Sequence, residues 1–118
     1  MRLLNVFAAL SGLVALVALI YAAHGLTESP SSDLATAIER IKLAAFIQIG
    51  AAAASLAIAN RTGRLNFAAG ALILTGAAIF AFTLYGVAIL GTPAMFAPVG
   101  GITLLLGWVV LAFAKPGN

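Results

Sequence analysis

The stretch LLNVFAALSGLVALVALIYAA, residues 3 to 23, runs for 21 residues without a charge. At about 1.5 Å per helical residue, such a run crosses a hydrocarbon core of roughly 30 Å. A signal peptide is the competing reading, because Met1 and Arg2 form a small basic start. The run exceeds the usual apolar region of about 7 to 15 residues, and YAAHGL makes a poor small-x-small cleavage site, so it reads as a retained span.

The rest of the chain agrees with that reading. Of 118 residues, 64% are hydrophobic and 8% charged, with a mean hydropathy of +1.17. A soluble domain carries about 25% charged residues. With so few charges the apolar side chains cannot hide behind a polar surface, so lipid or other membrane proteins must solvate them. One membrane domain fits this length, and a separate soluble catalytic domain does not.

Cysteine is absent, which excludes disulfides, thiolate metal sites and quinone-coupled disulfide chemistry. The net charge is +3, but the basic residues stand at the edges of apolar runs instead of clustering. That pattern argues against nucleic acid as a partner and reads as a topology signal.

Three further apolar runs follow the first. The polar TESPSSD, residues 27 to 33, makes a loop; Asp33 is the expected N-cap of the next helix, with Thr36 and Glu39 in capping-box spacing. A second helix is expected over 34–59, with its first two turns outside the core and Glu39 within reach of Lys42. NRTGR, residues 60 to 64, breaks the chain, and Gly63 is expected to end that helix in a left-handed conformation. The third run spans 66–90 and stops at Gly91, Thr92 and Pro93; the fourth spans 94–114, with Pro98 in its first turn or kinking it. The expected fold is therefore all-α, an integral membrane four-helix bundle over residues 1–118. With both termini cytoplasmic, Arg2, Arg61, Arg64 and Lys115 lie inside, and Glu28, Asp33 and Glu39 lie outside with Arg40 and Lys42.

None of the four runs carries an acidic residue in its apolar part, which disfavours a proton-coupled multidrug transporter. A haem held between helices usually needs a pair of axial ligands, for which only His24 with Met95 is on offer, so no cofactor or metal is expected. His24 has two readings: a hydrogen-bond donor to a quinone or headgroup, or, more simply, a cap on the last carbonyls of the first helix, with Gly25 as the helix stop. Gln48 sits too deep for water and needs a partner on another helix, with Thr75, Thr83 and Tyr85 as candidates. Small residues four apart, at Ala8/Gly12, Ser11/Ala15, Gly50/Ala54 and Ala53/Ala57, serve either internal packing or a partner. The glycines of APVGG, residues 97 to 101, read as packing, and Trp108 as an anchor or core aromatic.

The ordered set AAHGL (22 to 26), TAIERIKLAAF (36 to 46), LY (84 to 85), PVGG (98 to 101) and LLGW (105 to 108) resembles the bacterial YgdD and mitochondrial transmembrane protein 256 family, domain of unknown function 423. The similarity covers roughly residues 7 to 114. It implies a four-span protein of the bacterial inner membrane, or the mitochondrial one in eukaryotes, with no established biochemical role and no active site to transfer. The chain departs from the family pattern where Arg40 and Lys42 occupy aromatic positions and Ala44 stands in place of a histidine, which favours a structural role.

By elimination the expected function is non-catalytic: an accessory or assembly subunit of a larger inner-membrane complex, respiratory or photosynthetic, in contact with membrane lipids and other integral membrane subunits. Glu39, Arg40 and Lys42 are the expected polar contacts with a partner or headgroups. The alternative is a binding or transport protein for a lipid, quinone or other apolar molecule, which requires His24, Gln48 and Tyr85 to face one cavity.

Overall fold

A computed structural model describes residues 2–25 and 33–115. Helix α1 spans Arg2–Ile20 and closes in a π-helical turn, Tyr21–Gly25; α2 spans Leu34–Ile58. Helix α3 spans Arg64–Tyr85 and continues into a second π-turn, Gly86–Leu90, and α4 spans Ala97–Phe113. The described residues contain no strand, and three segments, α1 with its π-turn, α2, and α3 with its π-turn, are long and apolar enough to cross a membrane. The all-α fold with membrane-spanning helices expected from the sequence is the one that forms, but α4, expected as a fourth span over 94–114, is a shorter apolar helix of 17 residues. Apart from Asp33, the expected polar loop over 27–33 lies outside the described residues.

The helix boundaries have local causes. Asp33 caps α2 as expected, its Oδ1 accepting the Thr36 N–H at 2.7 Å, and hydrogen bonding from Thr36 holds its carboxyl below the usual carboxylate range. The expected Thr36/Glu39 capping box does not form, because Thr36 already lies inside the helix that Asp33 caps. Gly63, with φ 101° and ψ 160°, starts α3 instead of ending α2. Only glycine adopts that backbone readily, and it turns the chain into the next helix. Helix α2 itself stops at Ala59 in right-handed geometry, with the Ala59 N–H donating to Ser55 O at 2.8 Å. Gly91 is left-handed at φ 73° and ends the second π-turn. Pro98 lies in the first turn of α4, where its missing N–H costs nothing.

The core is built on one stripe of α2: Ala37, Ile41, Ala44, Gln48, Ala51, Ser55 and Ile58, all buried at alternating spacings of four and three. Helix α3 answers with Asn66, Gly70, Ile73, Ala77, Ala81 and Tyr85. Small residues on both sides let the backbones approach, and in an apolar medium that packing replaces much of the drive that burial supplies in water. Helix α1 adds Leu4, Ala8 and Ala15, and a Cβ built on Gly12 would lie 3.8 Å from Ala52 Cβ. The Ala8/Gly12 pair thus serves the α1–α2 contact.

Among the described residues the backbone of α4 comes near α3 alone. Its only buried residues are Gly100 and Gly107. A Cβ on Gly100 would lie 2.5 Å from Phe80 N, and one on Gly107 would lie 2.8 Å from Ile73 N, so α4 docks backbone to backbone. The glycines of APVGG are therefore divided: Gly100 packs, whereas nothing lies within 4 Å of a Cβ on Gly101. Three helices form a compact group and the fourth leans on one side, giving principal extents of 48 × 25 × 17 Å.

Candidate functional site

Two interior contacts use polar side chains to join different parts of the chain. Long helical side chains lean toward the N-terminus of their own helix. Tyr85, near the end of α3, therefore reaches back to the middle of α2, where its hydroxyl donates to Gln48 Oε1 at 2.8 Å. Both residues are buried, Gln48 with 1% of its surface exposed, and the Tyr85 and Phe82 rings stand nearly perpendicular with centroids 5.9 Å apart. Of the three partners considered for Gln48, Tyr85 is the one used. Thr83 Oγ1 donates to Ile79 O of its own helix at 2.6 Å, and Thr75 is exposed.

The second contact was not legible in the sequence. Asn66, in the first turn of α3, is fully buried. Its Nδ2 donates to Lys115 O at 2.6 Å and Thr62 O at 2.9 Å, while its Oδ1 accepts from Arg61 Nη1 at 3.2 Å. One amide thereby ties the α2–α3 connection to the end of α4. An amide opening an otherwise apolar helix was the only available signal. Ser55 on α2 is the opposite case, its hydroxyl buried with no hydrogen-bond partner.

His24 does not behave as expected. It lies one residue before the end of the first π-turn and is exposed, and among the described residues it makes no hydrogen bond to the last carbonyls of α1. The wider i→i+5 pattern of the π-turn takes up carbonyls that a side-chain cap would otherwise serve. The π-turn is described as far as Gly25, the expected helix stop, and Gly25 is not left-handed, since Gly63 and Gly91 are the positive-φ residues among those described. His24 therefore shares no cavity with Gln48 and Tyr85, which face each other in the packed interior.

The remaining candidates lie apart. Glu39 Oε1 and Lys42 Nζ are 3.7 Å apart on the exposed start of α2, an ion pair of little energetic weight in water, and Arg40 beside them is half-buried. Trp108 is exposed on the outer side of α4. Ala44, at the position where the resemblance implies a histidine, is buried in one cluster with Ala22, Ala37, Ile41, Ala81, Tyr85 and Ala88. That cluster takes one residue from each π-turn, so both irregular turns sit at the same end of the molecule.

Between α3, the 91–96 segment and the start of α4 lies an open apolar groove of about 620 Å³. Phe82, Thr83, Thr92, Met95, Phe96 and Val99 line it. Met95 thus lines the groove, which His24 does not. Among the described residues no group of three or more histidines or acids is placed to hold a metal ion.

No curated protein and no solved structure matches the chain. A family model described as "Protein of unknown function (DUF423)" matches residues 20–101, a stretch holding both π-turns, the Gln48–Tyr85 pair and Asn66. With well over half of its length matched, the chain belongs to the DUF423 family.

Proposed function

We propose that this chain is a non-catalytic subunit of the bacterial inner membrane that works by lateral association, as an accessory or assembly subunit of a larger complex of integral membrane proteins. The observation that carries this reading is Gly50. It lies in the middle of α2 on the exposed side, and a Cβ built there would meet nothing within 4 Å. A mid-helix glycine costs about 1 kcal/mol relative to alanine. The glycines of the α3–α4 seam repay that cost by close packing within the chain, and Gly50 does not. Ala53 and Ala57 continue the exposed small surface below it. Such a stripe suits the close approach of a partner helix. The polar side chains Gln48 and Asn66 are meanwhile spent on internal bonds. Arg2, Arg61, Arg64 and Lys115 stand at one end of the bundle, which supports placing both termini in the cytoplasm.

The test is affinity purification of the full chain from native membranes in mild detergent, with mass spectrometry of what accompanies it. A stoichiometric membrane partner is expected with the wild type and is lost with Gly50→Leu, while the isolated variant keeps its helical circular dichroism. If Gly50→Leu retains the partner, or the wild type has none, the reading fails.

The groove favours a second reading, a binding protein for an apolar molecule such as a lipid or quinone, because its volume falls within the range of small-molecule sites. It would not use the trio expected from the sequence, since neither His24, Gln48 nor Tyr85 lines it. A defined small molecule extracted with the purified chain, in place of a protein, would support it.

A further inference from the structure

We infer that the basic end of the bundle binds the phosphate of an anionic membrane lipid, held by the Arg61 guanidinium beside the start of α3 and by Arg64. Arg61 is half-buried and oriented from the interior. Its Nη1 donates to the Oδ1 of Asn66, and Asn66 is itself fixed by its bonds to Lys115 O and Thr62 O. A neutral amide orients a guanidinium without cancelling its charge. The planar fork is thus set in advance, so less freedom is lost when it closes on two phosphate oxygens.

Among the described residues no acidic side chain at this end competes for that charge. Among the described residues the one ion pair is Glu39–Lys42, at the far end of the molecule, and Arg61, Arg64 and Lys115 have no acidic partner. Every acidic residue of the chain falls between positions 28 and 39, after α1 and before the middle of α2. Helix α3 begins at Gly63 without a side-chain cap there, and the positive end of its dipole adds to the two arginines.

The site also sits where a leaflet keeps its phosphates, at the edge of the apolar spans. Leu65 and Phe67, both exposed on the first turn of α3, extend it into apolar surface. A free phosphate has no use for that surface, whereas the acyl chain of a lipid covers it.

The experiment offers the full chain, in neutral detergent micelles, equal mole fractions of dioleoyl phosphatidylglycerol and dioleoyl phosphatidylcholine, with native mass spectrometry of the retained lipid. The wild type is expected to retain phosphatidylglycerol preferentially. Arg61→Gln is expected to lose roughly ten-fold of that preference, the scale of one charge-assisted contact. Lys42→Gln, which removes the same charge from the opposite end, leaves the preference intact and shows that net charge alone is not responsible. Equal retention of the two lipids by the wild type would overturn the inference, as would an undiminished preference in Arg61→Gln. Displacement of the lipid by an equal concentration of glycerol 3-phosphate would also overturn it, because the occupant would then be a soluble phosphate.

Discussion

Replacing Gly76 by alanine tests the backbone contact on which α4 depends. A Cβ at Gly76 would lie 2.5 Å from Leu104 N, 2.8 Å from Leu104 Cα and 2.9 Å from Gly100 O. Carbon contacts settle at about 3.5 to 4.0 Å, so the deficit is roughly 1 Å. It falls on backbone atoms, which cannot rotate away as a side chain can. Forcing one methyl into such a contact costs about 1 to 3 kcal/mol. Against this, alanine gains about 1 kcal/mol of helix propensity over glycine. Gly50→Ala carries the same gain with no contact to strain. The difference between the two variants therefore isolates the packing cost, about 1 to 3 kcal/mol with Gly76→Ala the less stable. The assay is a titration of the purified chain with sodium dodecyl sulfate in mixed micelles. Fluorescence of Trp108, the sole tryptophan and a residue of α4, follows the docking of that helix, and far-ultraviolet circular dichroism follows the rest. Because the backbone of α4 approaches α3 alone, the Trp108 transition of Gly76→Ala is expected at lower dodecyl sulfate than that of Gly50→Ala. Coincident transitions for the two variants would refute the reasoning.

The Gln48–Tyr85 bond predicts a loss of about 0.6 to 1.7 kcal/mol for Tyr85→Phe in the same titration, the range measured for interhelical hydrogen bonds in membranes. Adding Gln48→Leu to Tyr85→Phe is expected to recover part of the loss, since no buried group is then left unpaired; strictly additive losses would show that the two side chains do not act as a pair. Asn66→Ala is expected to cost about 1 to 3 kcal/mol and to move the Trp108 transition, because it releases the end of α4 at Lys115; an unchanged midpoint argues against the clamp. Asp33 titrates below the usual carboxylate range because Thr36 donates to it, so its cap is complete above the ordinary aspartate pKa and is lost as pH falls through the depressed folded value. Amide exchange at Thr36 in micelles should therefore accelerate at strongly acidic pH only, and an earlier loss near pH 5 contradicts the assignment.

The spans were legible because hydrocarbon tolerates so little: charge-free runs of about twenty residues, broken by Asp33, Gly63 and Gly91, leave few alternatives. Gln48 was legible for the same reason, as a buried amide requires a partner and Tyr85 was within reach. The facing of each helix was not. In water an apolar stripe marks the core, but lipid and protein interior are both apolar, so Ala53 facing out and Ala52 facing in carry the same signal. The π-turns were hidden because YAAHG and GVAIL suit an ordinary helix equally well. That concealment made a cap of His24. Asn66 escaped notice because Lys115, the residue whose carbonyl it holds, lies 49 positions away, and no local pattern reports so distant a contact.

The partnerships of the four helices follow their order in the chain: α1 lies against α2, α2 against α3, and α3 against α4, with a smaller contact between α1 and α3. During synthesis the N-terminal part emerges first. Each newly inserted helix then finds its main neighbour already in the bilayer, and none has to wait for a segment still on the ribosome. The α1–α3 group can close before α4 is made, and the last helix joins by sliding its glycines onto a surface that is already finished. Asn66, buried at the foot of that surface, receives its Lys115 partner only after α4 has been made, so this hydrogen bond records the arrival of the fourth helix.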